Sequence, residues 1–220
     1  MSKNYSQVKD FFSGYAGKWD SLYGKKNRKD PFSIFADNVL RRVIKIRFAK
    51  TVKIIQENSC KSVLDVGCGS GRYVLEFARE GLDVHGIDFA KPMLVIAEES
   101  LKALALSHRA KLWQLSWQDF DRDQKYDAVI AIGFFDYQED PSAALAKMVK
   151  TSNKVVVASF PKSSGALAIQ RRIRYRIRKC PLWMYSHSDI EGLVANLTSP
   201  VTHQILKLGR DYLLVLKIKD

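Results

Sequence analysis

From about Ser62 onward, short β-branched runs alternate with longer amphipathic stretches. That alternation predicts parallel strands covered on both faces by helices. Ser62–Val66 reads as a first strand, followed by a helix over 72–80. Residues 83–87 read as a second strand, and 91–106 as a helix with Pro92 in its first turn, where the missing N–H costs nothing. A third strand is predicted over 111–115. A fourth, over 127–132, is apolar on both faces, as a central strand must be. A helix over 141–149 and a fifth strand over 154–159 follow. The tail differs: Val201–Leu208 and 212–218 are two strands joined at Gly209-Arg210-Asp211, close enough for a hairpin. The expected fold class is α/β, a doubly wound, mostly parallel seven-stranded sheet with an antiparallel C-terminal hairpin.

Two segments lie outside this alternation. Residues 5–57 read as helical, with 32–56 as one long helix. Tyr5, Phe11, Phe12, Tyr15, Trp19 and Tyr23 crowd the start. Phe11, Tyr15 and Trp19 fall at i, i+4, i+8, on one face. Residues 161–196 separate the fifth strand from the hairpin. Within them, 166–178 places Ala166, Ile169, Ile173 and Ile177 on one helical stripe, with Arg171, Arg172, Arg174 and Arg178 largely elsewhere. A second helix is predicted there, capped at Ser186 or Ser188. The organisation expected is an N-terminal helical extension over 1–57 and a main domain over 58–220, with 161–196 as a basic helical cap over the substrate.

Composition narrows the class. With 220 residues, 46% of them hydrophobic, the chain can bury one sizeable core but not two domains of ordinary size. No run approaches the roughly 18 apolar residues of a spanning helix, and no apolar segment follows Met1-Ser2-Lys3-Asn4, so no signal peptide is predicted. Cys60, Cys68 and Cys180 are odd in number and lack metal-ligand spacing, which predicts no metal site and a reduced, cytoplasmic setting. The net charge of +13 points to an anionic partner. It is concentrated in 41–53 and 161–180, which between them hold thirteen Lys and Arg and no acid.

The strongest chemical signal is Asp65-Val66-Gly67-Cys68-Gly69-Ser70-Gly71-Arg72, where a buried strand runs into three alternating glycines and a helix. Such a turn visits positive φ and lets backbone approach a ligand, leaving no room for Cβ. The helix start adds unpaired N–H groups and a positive dipole end. A dinucleotide site would want G-x-G-x-x-G, but here the third glycine comes one residue early and Arg72 takes the rival position. Asp65, at the strand end, would repel a pyrophosphate and suits the ammonium of a methionine moiety. Asp88 closes the second strand, where a carboxylate can accept hydrogen bonds from both ribose hydroxyls.

Asp65 to Gly71 resembles the first motif of class I S-adenosylmethionine-dependent methyltransferases. The resemblance implies a Rossmann-like sheet, S-adenosyl-L-methionine as cofactor, and a cofactor set comprising Asp65, Gly67, Cys68, Gly69, Gly71 and the ribose acid Asp88. It adds Phe89 and Met93 beside the adenine and Ile132 at the next strand end. The family usually carries an acid beside the adenine amine. This chain departs from that pattern, with Trp117 in the acid's place and Asp119 two further on. Trp117 could stack on the adenine and Gln118 offer its amide, or Trp117 could simply pack under the loop. In related small-molecule enzymes the N-terminal helix closes over the cofactor, which assigns Tyr15 and Trp19 to the same set. The run 19–24 and the basic 41–51 segment are similar to the entrance of magnesium-protoporphyrin and ubiquinone-pathway O-methyltransferases.

Candidate acceptor-side residues are Asp136 and Tyr137, after the fourth strand, and His187. Asp136 and Tyr137 either position and deprotonate a substrate group or serve as a helix cap and core. His187 offers acid–base chemistry or a structural helix start. The basic 166–178 helix either lies on an anionic interface or acidic substrate or docks on its own protein. The function expected is methyl transfer to a small or lipid-like acceptor, on oxygen before nitrogen. The alternatives are an RNA methyltransferase, weakened by the absence of an Asn/Asp-Pro-Pro-aromatic loop after the fourth strand, and a non-catalytic cofactor-binding protein at a membrane surface.

Overall fold

The computed structural model of the protein describes Val8 and residues 31–219, with side chains in the first helix from Arg42 onward. That helix, α1 (Pro31–Glu57), leads into β1 (Ser62–Val66), α2 (Arg72–Arg79), β2 (Asp83–Asp88), α3 (Lys91–Ala103), β3 (Ala110–Gln114) and β4 (Tyr126–Ala131). A 3₁₀ turn at Phe135–Tyr137 precedes α4 (Pro141–Thr151) and β5 (Ser152–Pro161). Then come α5 (Ala166–Ile177), α6 (His187–Ala195), β6 (Val201–Leu208) and β7 (Asp211–Ile218). One seven-stranded sheet runs β3-β2-β1-β4-β5-β7-β6. The first five strands in that order are parallel and β7 and β6 antiparallel, as the hydropathy pattern predicts. Winding reverses between β1 and β4, which opens a crevice at the carboxyl ends of those strands.

The central strands carry continuous apolar runs because both faces are covered. Val63, Leu64, Ala128, Val129, Ile130 and Val155 to Val157 are fully buried, each large side chain contributing about 1.5–3 kcal/mol. On one face, Val52 and Ile55 of α1 join Tyr73, Val74 and Phe77 of α2 and Leu94 and Leu101 of α3. On the other, Leu145 and Met148 of α4 meet Ile190 and Val194 of α6. No helix among the described residues is long and apolar enough to cross a membrane.

Local chemistry sets the element ends. Asp140 caps α4 by accepting from the Ala143 amide, with Pro141 at the first turn. Ser186 caps α6: its hydroxyl accepts from the Asp189 amide at 3.1 Å, while the Asp189 carboxylate accepts from the Ser186 amide at 2.7 Å. This reciprocal box selects Ser186 over Ser188.

Helix α5 turns the opposite way from an ordinary amphipathic helix. It buries Ala168, Arg171 and Tyr175 and leaves Ile169, Ile173 and Ile177 exposed. The cause is charge: Arg171 reaches inward to Asp136 and Asp211, and an unpaired buried carboxylate costs more than an exposed isoleucine.

Candidate active site

The turn after β1 is built as its glycines require. Gly67, Gly69 and Gly71 all have positive φ. At Gly71 (φ 77°) an added Cβ would lie 2.7 Å from the Ala97 methyl of α3, so only glycine allows α2 and α3 to pack this closely. The Gly67 and Cys68 amides both donate to the Ile87 carbonyl, tying the turn to β2. Helix α2 starts at Gly71 with no side chain capping its first turn, leaving amides and a positive dipole end for a ligand. Cys68 is buried, and burial pushes its thiol well above the ordinary range, so it shapes the turn without acting as a nucleophile.

Asp65, two residues before Gly67, is 2% exposed, and its Oδ2 has no hydrogen-bond partner among the described residues. Burial, and secondarily the charge of Asp88, push its carboxyl up to about 8. Asp88 is better supplied. Its Oδ2 accepts from the Gly69 amide at 2.9 Å and its Oδ1 from the Ala90 amide at 2.8 Å. Burial still raises its pKa against these backbone bonds. Each oxygen keeps a second lone pair, so Asp88 can hold the turn and still receive two hydroxyls. Beside it Ala90 and Met93 form a small apolar cluster with Phe89 and Ile96, apart from the two main cores. The Met93 methyl lies over Gly69. Ile132 follows β4 at the same sheet edge and is partly buried. The structure thus gathers Asp65, the glycine turn, Asp88, Phe89, Met93 and Ile132 around one sheet edge.

Of the two readings of Trp117, adenine stacking or packing under the loop, the structure shows the second. Trp117 is buried in the core, stacks on Phe120 at 5.3 Å and donates its indole N–H to the Ala144 carbonyl. A ring held on both counts is not free to stack on a nucleobase. Gln118 is exposed and donates to the Gln138 side chain. The buried residue closest in sequence is Ser116, whose hydroxyl bonds Asp119 at 2.6 Å. Tyr15 and Trp19 lie outside the described residues.

On the acceptor side, Asp136 is 4% exposed and ion-paired with Arg171, and it does not cap α4. Burial pushes its carboxyl up and Arg171 pulls it down, the former prevailing. The Tyr137 hydroxyl shares a 2.8 Å hydrogen bond with the Tyr175 hydroxyl, and burial raises it well above the phenol range. Neither group is an available base near neutral pH: one is held in an ion pair and the other does not ionise. Both tie α5 to the turn after β4. His187 stands apart at the exposed start of α6, packed on the Tyr212 ring at 5.9 Å and 3.9 Å from Glu191.

The charged cluster around Arg171 was not expected from the sequence. Arg171 bridges Asp136 and Asp211 (2.7 Å to the latter), and Arg47 of α1 meets the other oxygen of Asp211 at 2.9 Å. Arg210, largely desolvated and beside Arg171, is pushed down to about 10. Four elements, α1, the turn after β4, α5 and β7, are pinned together at this one cluster. The one signal for it in the sequence is the i, i+3, i+7 spacing of Ala168, Arg171 and Tyr175, a second helical stripe that competes with the isoleucines.

Residues 63–154 match the methyltransferase domain family. The chain is 32% identical over 111 residues to a ubiquinone biosynthesis O-methyltransferase of Alkalilimnicola ehrlichii, covering 47% of this chain and 44% of that protein. It is 24% identical over 199 residues to the chloroplastic magnesium protoporphyrin IX methyltransferase of Arabidopsis thaliana, covering 84% and 61%. The chain therefore spans less than two thirds of these curated relatives. In fold, it superposes on the magnesium protoporphyrin IX methyltransferase of Synechocystis PCC 6803, crystallised with S-adenosylhomocysteine. The TM-score is 0.79 at 17% identity, over 98% of this chain and 100% of that one.

Proposed function

We propose that this chain, a member of the class I S-adenosylmethionine-dependent methyltransferases, transfers a methyl group to a small or lipid-like acceptor, on oxygen before nitrogen. The observation that carries the cofactor assignment is the unpartnered, fully buried oxygen of Asp65 at the mouth of a three-glycine turn. A buried carboxylate without a donor is costly and calls for a cation. A dinucleotide pyrophosphate would add charge of the wrong sign there, whereas the ammonium of a methionine moiety meets it. Asp88 offers its remaining lone pairs to the ribose, and the Phe89, Ala90, Met93 and Ile96 cluster offers an apolar wall to the base. When bound, the sulfonium supplies an electrophilic methyl carbon that an acceptor atom displaces directly.

The acceptor side supports alignment over proton abstraction. Asp136 and Tyr137 are committed to Arg171 and Tyr175, so they fix the wall of the crevice and do not take the acceptor's proton. Such a site suits an acceptor that ionises by itself, such as a carboxylate or an acidic phenol, held in a dry pocket at reacting distance. The magnesium-porphyrin and ubiquinone-precursor enzymes among the relatives support a small acceptor of this kind. The three buried thiols, all raised by burial, are consistent with a reducing, cytoplasmic setting.

The test is calorimetric titration with S-adenosylhomocysteine, followed by transfer of labelled methyl to a panel of phenols, carboxylated tetrapyrroles, fatty acids and RNA. Micromolar binding with transfer to a phenol or carboxylate is expected. No binding at millimolar cofactor sinks the assignment, and transfer to RNA alone replaces the acceptor class.

A further inference from the structure

We infer that α5 is a docking face for the surface of an anionic lipid bilayer. Seven large apolar side chains are conspicuously exposed among the described residues, and four of them, Leu167, Ile169, Ile173 and Ile177, lie on this one helix. Three are more than half exposed, at 61%, 56% and 76%. At 100° per residue, Ile169, Ile173 and Ile177 form one line directly opposite the buried face of Ala168, Arg171 and Tyr175. This exposure is imposed by the fold. Rotating α5 to hide the isoleucines would withdraw Arg171 from Asp136 and Asp211 and leave both carboxylates buried.

The rest of the face decides the partner. Arg172 and Arg176 are exposed along one flank of the isoleucine line, and residues 161–180 contain no acid. A second copy of the chain would bring like charges together. RNA would satisfy the arginines and leave the isoleucines in water. A bilayer carrying anionic headgroups takes both, with isoleucines entering the headgroup–acyl boundary and arginines staying at the phosphates. The helix is about 18 Å long and lies flat on such a surface, so the contact is peripheral. The face belongs to the segment tied to the turn after β4, at the carboxyl edge of the sheet, through Tyr137 and Tyr175. A lipid-like acceptor would reach the site from the same side.

This inference does not depend on methyl transfer, and its test reads none. The full chain is mixed with vesicles of equal parts phosphatidylglycerol and phosphatidylcholine, or of phosphatidylcholine alone, and sedimented. The protein should pellet with the first and not the second. Replacing Ile169, Ile173 and Ile177 together with serine should cut partitioning at least tenfold. Arg172→Gln and Arg176→Gln should each lower it on the order of fivefold. Circular dichroism and S-adenosylhomocysteine binding confirm that each variant is folded. The inference is overturned if the wild-type chain stays in solution at low ionic strength, or if the triple-serine variant pellets as well as wild type. It is equally overturned if light scattering shows the isoleucines holding a dimer that ignores vesicles.

Discussion

At the scale of single residues, Asp65 couples ligand binding to pH. Its carboxyl ionises near 4 in an unfolded chain and at about 8 when buried here. The folded state therefore holds a proton that the unfolded state has released, and stability of the ligand-free protein falls as pH climbs from about 4 toward 8. A cation beside Asp65 reverses the preference by favouring the ionised form. Below pH 8, binding of S-adenosylhomocysteine should release a proton, and its affinity should rise with pH by up to about tenfold per unit. Calorimetry in buffers of differing ionisation enthalpy reads this directly. Asp65→Asn should remove the proton release and weaken binding. An unchanged pH slope in that variant would assign the coupling to another group.

Between elements, the decisive contact is the Arg171 cluster. Asp211 is pushed up by its own burial, but Arg47, Arg171 and Arg210 outweigh this and hold it below the ordinary carboxylate range. Its contribution to stability is therefore complete above about pH 4 and is lost as pH falls through its lower folded value. Arg171→Met keeps the volume and removes the charge, leaving Asp136 without its ion pair. The loss at pH 7 should be about 3–5 kcal/mol, as for other broken buried pairs, read from urea midpoints. Because an unpaired buried carboxyl takes up a proton, the gap to wild type should narrow at pH 5. A gap that does not change with pH would mean packing, not charge, holds α5 in place.

This cluster also marks where sequence reading stops. The apolar stripe at 166, 169, 173 and 177 leaves α5 free to dock on its own protein or to face an anionic interface, and the ordinary driving force, burial of apolar groups, favours the first. The residues that overrule it are Asp136, 35 positions before Arg171, and Asp211, 40 after it. Periodicity within one helix cannot contain that information. The sequence leaves Trp117 undecided between ligand and core for a related reason. Its place in the chain fits an adenine contact, but Ala144 and Phe120 hold it down in the core. The strands were legible because a parallel sheet covered on both faces leaves continuous apolar runs, and the glycine turn because only glycine adopts its backbone. Whether a loop side chain turns to ligand or core depends on partners the local pattern does not name.

For the whole molecule, the crevice lies at the reversal of winding, where β1 pairs with β4. Asp65 lies near the end of β1 and the glycine turn follows it, Asp88 ends β2 and Ile132 follows β4, so one ligand there would reach three strands and the starts of α2 and α3. Such a ligand binds the folded state and has no site on the unfolded chain. At a hundred times its dissociation constant it stabilises the fold by about 2.7 kcal/mol. For a domain of this size that corresponds to roughly 5–11 °C in Tm. S-adenosylhomocysteine should produce that shift in the wild-type chain, and NAD should not. Asp88→Asn should reduce it, because an amide offers one acceptor oxygen where the carboxylate offers two, and part of its own bonding to Gly69 and Ala90 is lost with it. Equal shifts with both nucleotides would mean the crevice reads only a nucleoside and that Asp65 contributes no charge selection.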